Sequence, residues 1–199
     1  SGTSSNMNAN EVIANLASKF SGTEIDPNDD VNMSQSSNDV IPTAIKISAY
    51  KDLTEKLYPA LAKLIKEIDK REYALKGIVK TGRTHLMDAM PLELSQEISA
   101  WSAQLKNVKK TLSFFEKRLL ELPLGGTAVG TGINAHPRFA KVFTKELADL
   151  TRGKYKVIPS ENFFHELSSQ DTAVQVSGEL KNLAIVLMKI SNDLRWMNS

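Results

Sequence analysis

His85 follows Thr84 within the polar segment Lys80-Thr-Gly-Arg-Thr-His-Leu-Met-Asp-Ala-Met-Pro91. Histidine changes charge near neutral pH, so it can take or give a proton. A threonine hydroxyl beside it can hold an anion. Two other segments carry polar side chains at comparable density: Ser1-Gly-Thr-Ser-Ser-Asn-Met-Asn8 and Val31-Asn-Met-Ser-Gln-Ser-Ser-Asn-Asp39. Hydroxyls, amides and free backbone N–H groups at helix N-termini suit carboxylates or phosphates. The chemistry implied is proton transfer next to a bound anion.

Each segment also has a plainer reading. Ser36, Ser37, Asn38 and Asp39 suit simple helix capping, although two serines, a glutamine and an asparagine in five residues exceed what one cap requires. His85 alone could be a hydrogen-bonded histidine in a turn. His136 and His165 stand at helix starts without a polar cluster and read as surface or capping residues. The three histidines are isolated, with no His-x-x-x-His or Glu-x-x-His pair, so no metal-ligand spacing is present. The glycine-rich stretch 125–134 has no preceding strand, which removes a dinucleotide reading. No nucleophile elbow supports a serine hydrolase.

The elements that must position these groups are helical. Residues 1–5 read as loop and Asn6–Phe20 as a short helix with Val12, Leu16 and Phe20 on one face. Ser21–Gln35 reads as a loop. From Ser36 to Arg71, Tyr50, Leu53, Leu57, Leu61, Leu64 and Ile68 recur at steps of three and four. Pro42 is placed in the first turn of this helix, and Pro59 is expected to kink it. The His85 segment is expected to be a loop, after which Pro91 opens a third helix. Its seam is Leu94, Ile98, Trp101, Leu105, Val108, Leu112, Phe115, Leu119 and Leu122. A further helix is expected over Pro137–Leu150. The last seam runs through Ala173, Val176, Leu180, Leu183, Leu187, Ile190, Leu194 and Met197. A repeat of about 3.5 residues marks long helices crossing at a shallow angle, so the fold class expected is an all-α long-helix bundle, with broad apolar seams that a partner chain could cover.

Composition narrows the classes further. The chain is 41% hydrophobic and 24% charged with a net charge of +2, too small and dispersed an excess to argue for nucleic acid. It contains no cysteine, which excludes disulfides and thiolate metal sites. No run approaches the ~18 apolar residues of a membrane span. The opening Ser1-Gly-Thr-Ser-Ser-Asn and the stop at Trp196-Met-Asn-Ser199 read as the ends of an internal fragment.

Four stretches together resemble one family. Ser1-Gly-Thr-Ser-Ser-Asn-Met-Asn-Ala-Asn-Glu-Val12, Asn32-Met-Ser-Gln-Ser-Ser-Asn-Asp39, Gly82-Arg-Thr-His-Leu-Met-Asp-Ala89 and Gly125-Gly-Thr-Ala-Val-Gly-Thr-Gly132 are similar, in order, to motifs of the class II fumarases of the fumarase/aspartase superfamily. Aspartate ammonia-lyases typically carry glutamine in place of His85 and a serine-threonine-asparagine triplet in place of Ser36-Ser37-Asn38, so both differences favour fumarase. The resemblance implies reversible hydration of fumarate to (S)-malate without metal or organic cofactor, in a cytoplasmic or mitochondrial-matrix homotetramer. By it, 1–199 is one helical region covering part of an N-terminal domain and most of the central bundle domain. Ser1, Gly2, Thr3, Ser36, Ser37, Asn38 and Thr84 would bind the dicarboxylate. His85 would handle the proton of the added water, and Asp26, Pro27, Asn28 and Asp29 would occupy a secondary dicarboxylate site. Asp26 departs from the histidine usual there and would repel a carboxylate; Met33 replaces a common lysine. The family's mobile loop, with its proton-abstracting serine, is expected beyond Ser199, so the isolated 199-residue piece is expected to show no fumarase activity. Other readings are an aspartate ammonia-lyase and a non-catalytic helical scaffold.

Overall fold

The structure, a computed structural model, describes residues 2–199. The chain forms two compact units, Ser1–Tyr50 with Glu116–Ala173, and Lys51–Phe115 with Val174–Ser199. Its main elements are the helices α1 (Gly2–Ser21), α2 (Ser37–Asp52), α3 (Tyr58–Ala74), α4 (Leu94–Leu119), α5 (Phe139–Leu150), α6 (Phe163–Ser168) and α7 (Asp171–Met197). The all-α class holds, with short strands as additions.

The second unit is built on the expected seams. Of the α4 seam, Ile98, Trp101, Leu105, Val108 and Leu112 are buried here, along with Leu61, Ile65 and Ile68 of α3 and Val176, Leu183, Val186 and Ile190 of α7. Burying one such side chain contributes about 1.5–3 kcal/mol, so these rows account for most of the unit's cohesion. Within this packing the Trp101 indole N–H donates to Asp193 at 2.9 Å. The Asp69 carboxylate accepts from Ser102 and Lys106. On α7, Leu180, Leu187, Leu194 and Met197 of the expected seam stay partly exposed.

The core of the first unit is smaller and mixed. Leu122, Tyr155 and Val157 are buried there, against Ile47, Tyr50, Leu120, Phe143 and Leu147. Tyr50 and Tyr155 meet edge to face, with centroids 5.6 Å apart. A short parallel pairing joins Glu121–Leu122 to Ile158–Pro159.

Several local expectations are corrected. Residues 2–5 belong to α1, where Gly2 lies so close to Ile41 that an added Cβ would sit 3.0 Å from its side chain. Weak helix formers are recruited by that packing, which outweighs propensity. Pro42 sits inside α2, beyond its first turn, so it offers no N–H to the Asn38 carbonyl four residues earlier. Ahead of Pro59 the helical backbone widens into a π segment, Leu53–Leu57, where the Tyr58 N–H reaches the Leu53 carbonyl. A missing donor is thereby absorbed by a change of register.

The largest correction concerns the His85 segment. It is an antiparallel hairpin, β1 (Val79–Thr84) and β2 (Met87–Glu93), with Thr81 opposite Pro91 and Thr84 opposite Met87. Pro91 therefore lies in β2, and α4 starts at Leu94. A two-stranded ribbon leaves Pro91's missing donor on an open edge, where proline is tolerated. The register shifts between Thr81 and Arg83, around buried Gly82. A Cβ there would fall 2.5 Å from the Met90 carbonyl oxygen. Gly82→Ala is therefore expected to loosen the hairpin by about 1–3 kcal/mol, the cost of forced overpacking. Faster hydrogen exchange of the paired amides between residues 79 and 93 is the readout; unchanged protection would refute it.

Candidate active site

In the first unit, Gly2, Thr3, Ser37, Asn38, Ile41, Pro42, Ala128, Leu167 and Gln170 line a cavity of about 310 Å³. Four of the residues expected to bind a dicarboxylate, Gly2, Thr3, Ser37 and Asn38, are thus brought together, although the first two lie far from the others in sequence. Ser1 lies outside the described residues.

The Ser36-Ser37-Asn38-Asp39 quartet divides its labour. Ser36 and Asp39 cap the helix: the Ser36 hydroxyl oxygen accepts from the Asn38 N–H at 3.2 Å, and Asp39 reaches back to the Ser36 N–H at 2.9 Å. That reciprocal pair is a capping box. The side chains of Ser37 and Asn38 are left to line the cavity. The capping reading thus holds for Ser36 and Asp39, while Ser37 and Asn38 stand at the cavity.

Asp39 does more than cap. It is fully buried, and its other oxygen accepts from the Gly125 N–H at 3.0 Å and the Thr127 N–H at 2.8 Å. Burial pushes its carboxyl above the ordinary carboxylate value, while the Ser36, Gly125 and Thr127 N–H groups pull it back down. Gly125 must be glycine, since its φ is 111° and a Cβ would stand 2.7 Å from that of Ala140. The glycine-rich loop is thus moulded onto the start of α2, where its Ala128 carbonyl accepts from the Asn38 amide at 2.8 Å.

The first polar segment works in the same direction. Asn6 is buried and donates to the Ser37 hydroxyl and to the Asn32 side-chain oxygen, at 3.4 and 3.3 Å. Buried Asn10 donates to that Asn32 oxygen at 3.1 Å. These amides hold Ser37 in place.

Further along α2, Lys46 is only 4% exposed and pairs with Glu166 of α6. Its ammonium also donates to the Arg118 and Glu121 carbonyls at 3.1 and 2.8 Å. All three ammonium protons are thereby used, the condition for burying such a charge.

Thr84 and His85 stand on the hairpin of the second unit, both exposed. His85 and Leu86 form its two-residue turn, with φ of 52° and 61°. Positive φ at both positions is the signature of a type I′ hairpin turn. For L-residues this region costs about 1–2 kcal/mol each, and neither residue is a glycine. Such a conformation, held in place by the surrounding ladder, presents both side chains at the tip; Leu86 is wholly exposed.

Asp26 caps the π-helical turn Pro27–Val31, taking the N–H groups of Asn28 and Asp29 at 2.7 Å each. These are the donors that an arriving carboxylate would need. His136 accepts the Arg138 N–H, and His165 pairs with Asp171 at 2.9 Å, the surface and capping positions expected of them. Among the described residues, no three histidine or acidic side chains gather as a metal-binding group, and no helix is long and apolar enough to cross a membrane.

Sequence reasoning missed Gln170, Leu167 and the Ala128 carbonyl. Leu167 and Ala128 carry no chemical signal. Gln170 does carry one: Ser168-Ser169-Gln170-Asp171 repeats the residue types of the Ser36–Asp39 quartet.

The family model described as a lyase matches residues 1–199. Over all 199 residues the chain is 54% identical to a class II fumarate hydratase of Pseudomonas aeruginosa and 55% identical to one of Xylella fastidiosa. It spans 43% and 42% of their lengths, less than half of each. Among solved structures it is similar to a class II fumarase from Schistosoma mansoni, with a TM-score of 0.92 and 34% identity over 96% of this chain and 44% of that one. A fumarate lyase:delta crystallin from Brucella melitensis, bound to cobalt, gives 0.90 and 39% over all of this chain and 44% of that one.

Proposed function

Because this chain belongs to the lyase family whose model spans all of it, we propose that the full-length protein is a class II fumarate hydratase, interconverting fumarate and (S)-malate. The observation that carries the proposal is the cavity where Gly2, Thr3, Ser37 and Asn38 converge. Its donors are neutral hydroxyls, an amide and backbone, the groups that hold a carboxylate without trapping it.

Removing the proton next to a carboxylate builds a dianion. Fixed donors must then stand where the charge accumulates. Thr3, Ser36, Ser37 and Asn38 would supply them, with Ser1 and Gly2 preceding Thr3 in the chain and Thr84 beside the histidine. Ser36 would act mainly through its backbone and cap, which set the positions of Ser37 and Asn38. His85 would move the proton of the added water. The segment Asp26-Pro27-Asn28-Asp29 is a poor second site for a dicarboxylate, since Asp26 already takes its N–H donors. Within the enzyme this chain would supply part of the N-terminal domain and most of the central bundle. The partly exposed apolar residues of α7 fit burial in a homotetramer. A cytoplasmic location accords with this metabolic role.

The deciding experiment assays the full-length protein in parallel for malate–fumarate interconversion, followed by the ultraviolet absorbance of fumarate, and for ammonia release from aspartate. Malate turnover alone is expected. Ammonia release would make the protein an aspartate ammonia-lyase, and inactivity on both would favour a helical scaffold.

A further inference from the structure

Two quartets that differ only in asparagine against glutamine at the third position reach the cavity. Ser36-Ser37-Asn38-Asp39 precedes and opens α2, and Ser168-Ser169-Gln170-Asp171 ends α6 and opens α7. In each, the aspartate ties the segment back on itself. Asp39 takes the Ser36 N–H; Asp171 accepts from the Ser169 hydroxyl and pairs with His165 at 2.9 Å. His165 is in turn placed by Asn162, whose side chain accepts its N–H at 3.0 Å. Both neighbours of the third residue are therefore anchored. In each quartet that third residue is a primary amide lining the same cavity, Asn38 in one and Gln170 in the other.

The two amides differ in what they have left to offer. Asn38 donates one of its N–H groups to the Ala128 carbonyl. Gln170 makes no side-chain hydrogen bond among the described residues and lies exposed at the cavity. Its two N–H donors and its carbonyl oxygen are all available. Beside it, Ile41, Pro42 and Leu167 give the cavity an apolar wall suited to a short carbon chain, and among the described residues no charged side chain lines it.

We propose that Gln170 is a substrate-binding residue, donating its amide N–H to a carboxylate of the dicarboxylate held by Thr3, Ser37 and Asn38. The inference rests on the functional reading above and adds a contact to it. A neutral amide strengthens binding through geometry without fixing a counter-charge, so product can still leave.

The test uses the full-length protein with succinate, an unreactive dicarboxylate, titrated calorimetrically against wild type, Q170L and Q170E. Loss of one hydrogen bond to a charged group is expected to raise the Kd for succinate about tenfold or more in Q170L. Q170E sets a carboxylate against the ligand's own, so a larger rise is expected, reduced by added salt. Gln170 has no internal partner to lose among the described residues, so both variants should keep the wild-type circular dichroism and unfolding midpoint; Q170A provides a second neutral variant should one not. Equal Kd values in wild type and variants would overturn the proposal, as would failure of wild type to bind succinate. If succinate binds and responds as expected but fumarate is not hydrated, only the proposed activity falls.

Discussion

Replacing His85 by asparagine in the full-length protein is expected to cut kcat for fumarate hydration by about 10²–10⁴-fold, the usual contribution of a positioned acid/base group. The choice of asparagine follows from the backbone. His85 holds a φ of 52°, in the left-handed region where asparagine is among the most tolerated residues. The hairpin should therefore keep its shape while the imidazole is lost. Alanine would add backbone strain and blur the result. Because the donors proposed for the carboxylate lie elsewhere, on α1, α2 and the quartet before α7, KM should move much less than kcat. A variant retaining about a third or more of wild-type kcat, far above the range for an acid/base group, would return His85 to the role of an ordinary turn residue.

Lys46→Met is expected to destabilise the protein by about 3–5 kcal/mol, as breaking a buried pair by removing one partner typically does. Methionine fills much of the lysine stem's volume, so the loss would report charge and hydrogen bonding. Glu166, 8% exposed, would be left without its counter-ion, and the Arg118 and Glu121 carbonyls without their shared donor. Against a typical stability of about 5–15 kcal/mol this is a large fraction. Urea unfolding of wild type and variant gives the difference. Adding Glu166→Gln should recover part of it, because the uncompensated charge disappears. A loss below about 1 kcal/mol would show instead that water reaches the pair, as at surface ion pairs. The consequence extends to the cavity. Glu166 anchors α6, and α6 leads through Leu167 to Gln170, so a freed helix would blunt one wall of the site.

The long helices are legible in the sequence because their information is repeated. No single position on α4 has to be decisive when Ile98, Trp101, Leu105, Val108 and Leu112 recur every three or four residues and are all buried. The hairpin carries no such repetition. Thr81, Arg83 and Thr84 are polar, and most side chains of β1 and β2 are exposed. Without a buried face there is no alternation to read. Its cues are single contacts, Gly82 beneath the Met90 carbonyl and a left-handed turn at two residues that seldom adopt one.

The candidate site divides along the same line. Residue types and motif order alone are enough to single out His85 and the groups that could bind a carboxylate, because those choices depend on chemistry carried by each side chain. Which of them converge is decided by tertiary structure. Asp39 draws the glycine-rich loop onto α2, and Asn6 reaches across to Ser37, each contact joining residues far apart in the chain. The same holds for Asp26, whose turn uses its own carboxylate where a ligand's was expected, and for Gln170, whose quartet gains meaning only beside its counterpart. Side-chain chemistry is local and can be read residue by residue. Convergence depends on closing long loops around buried polar contacts, and only the folded chain specifies which loops close.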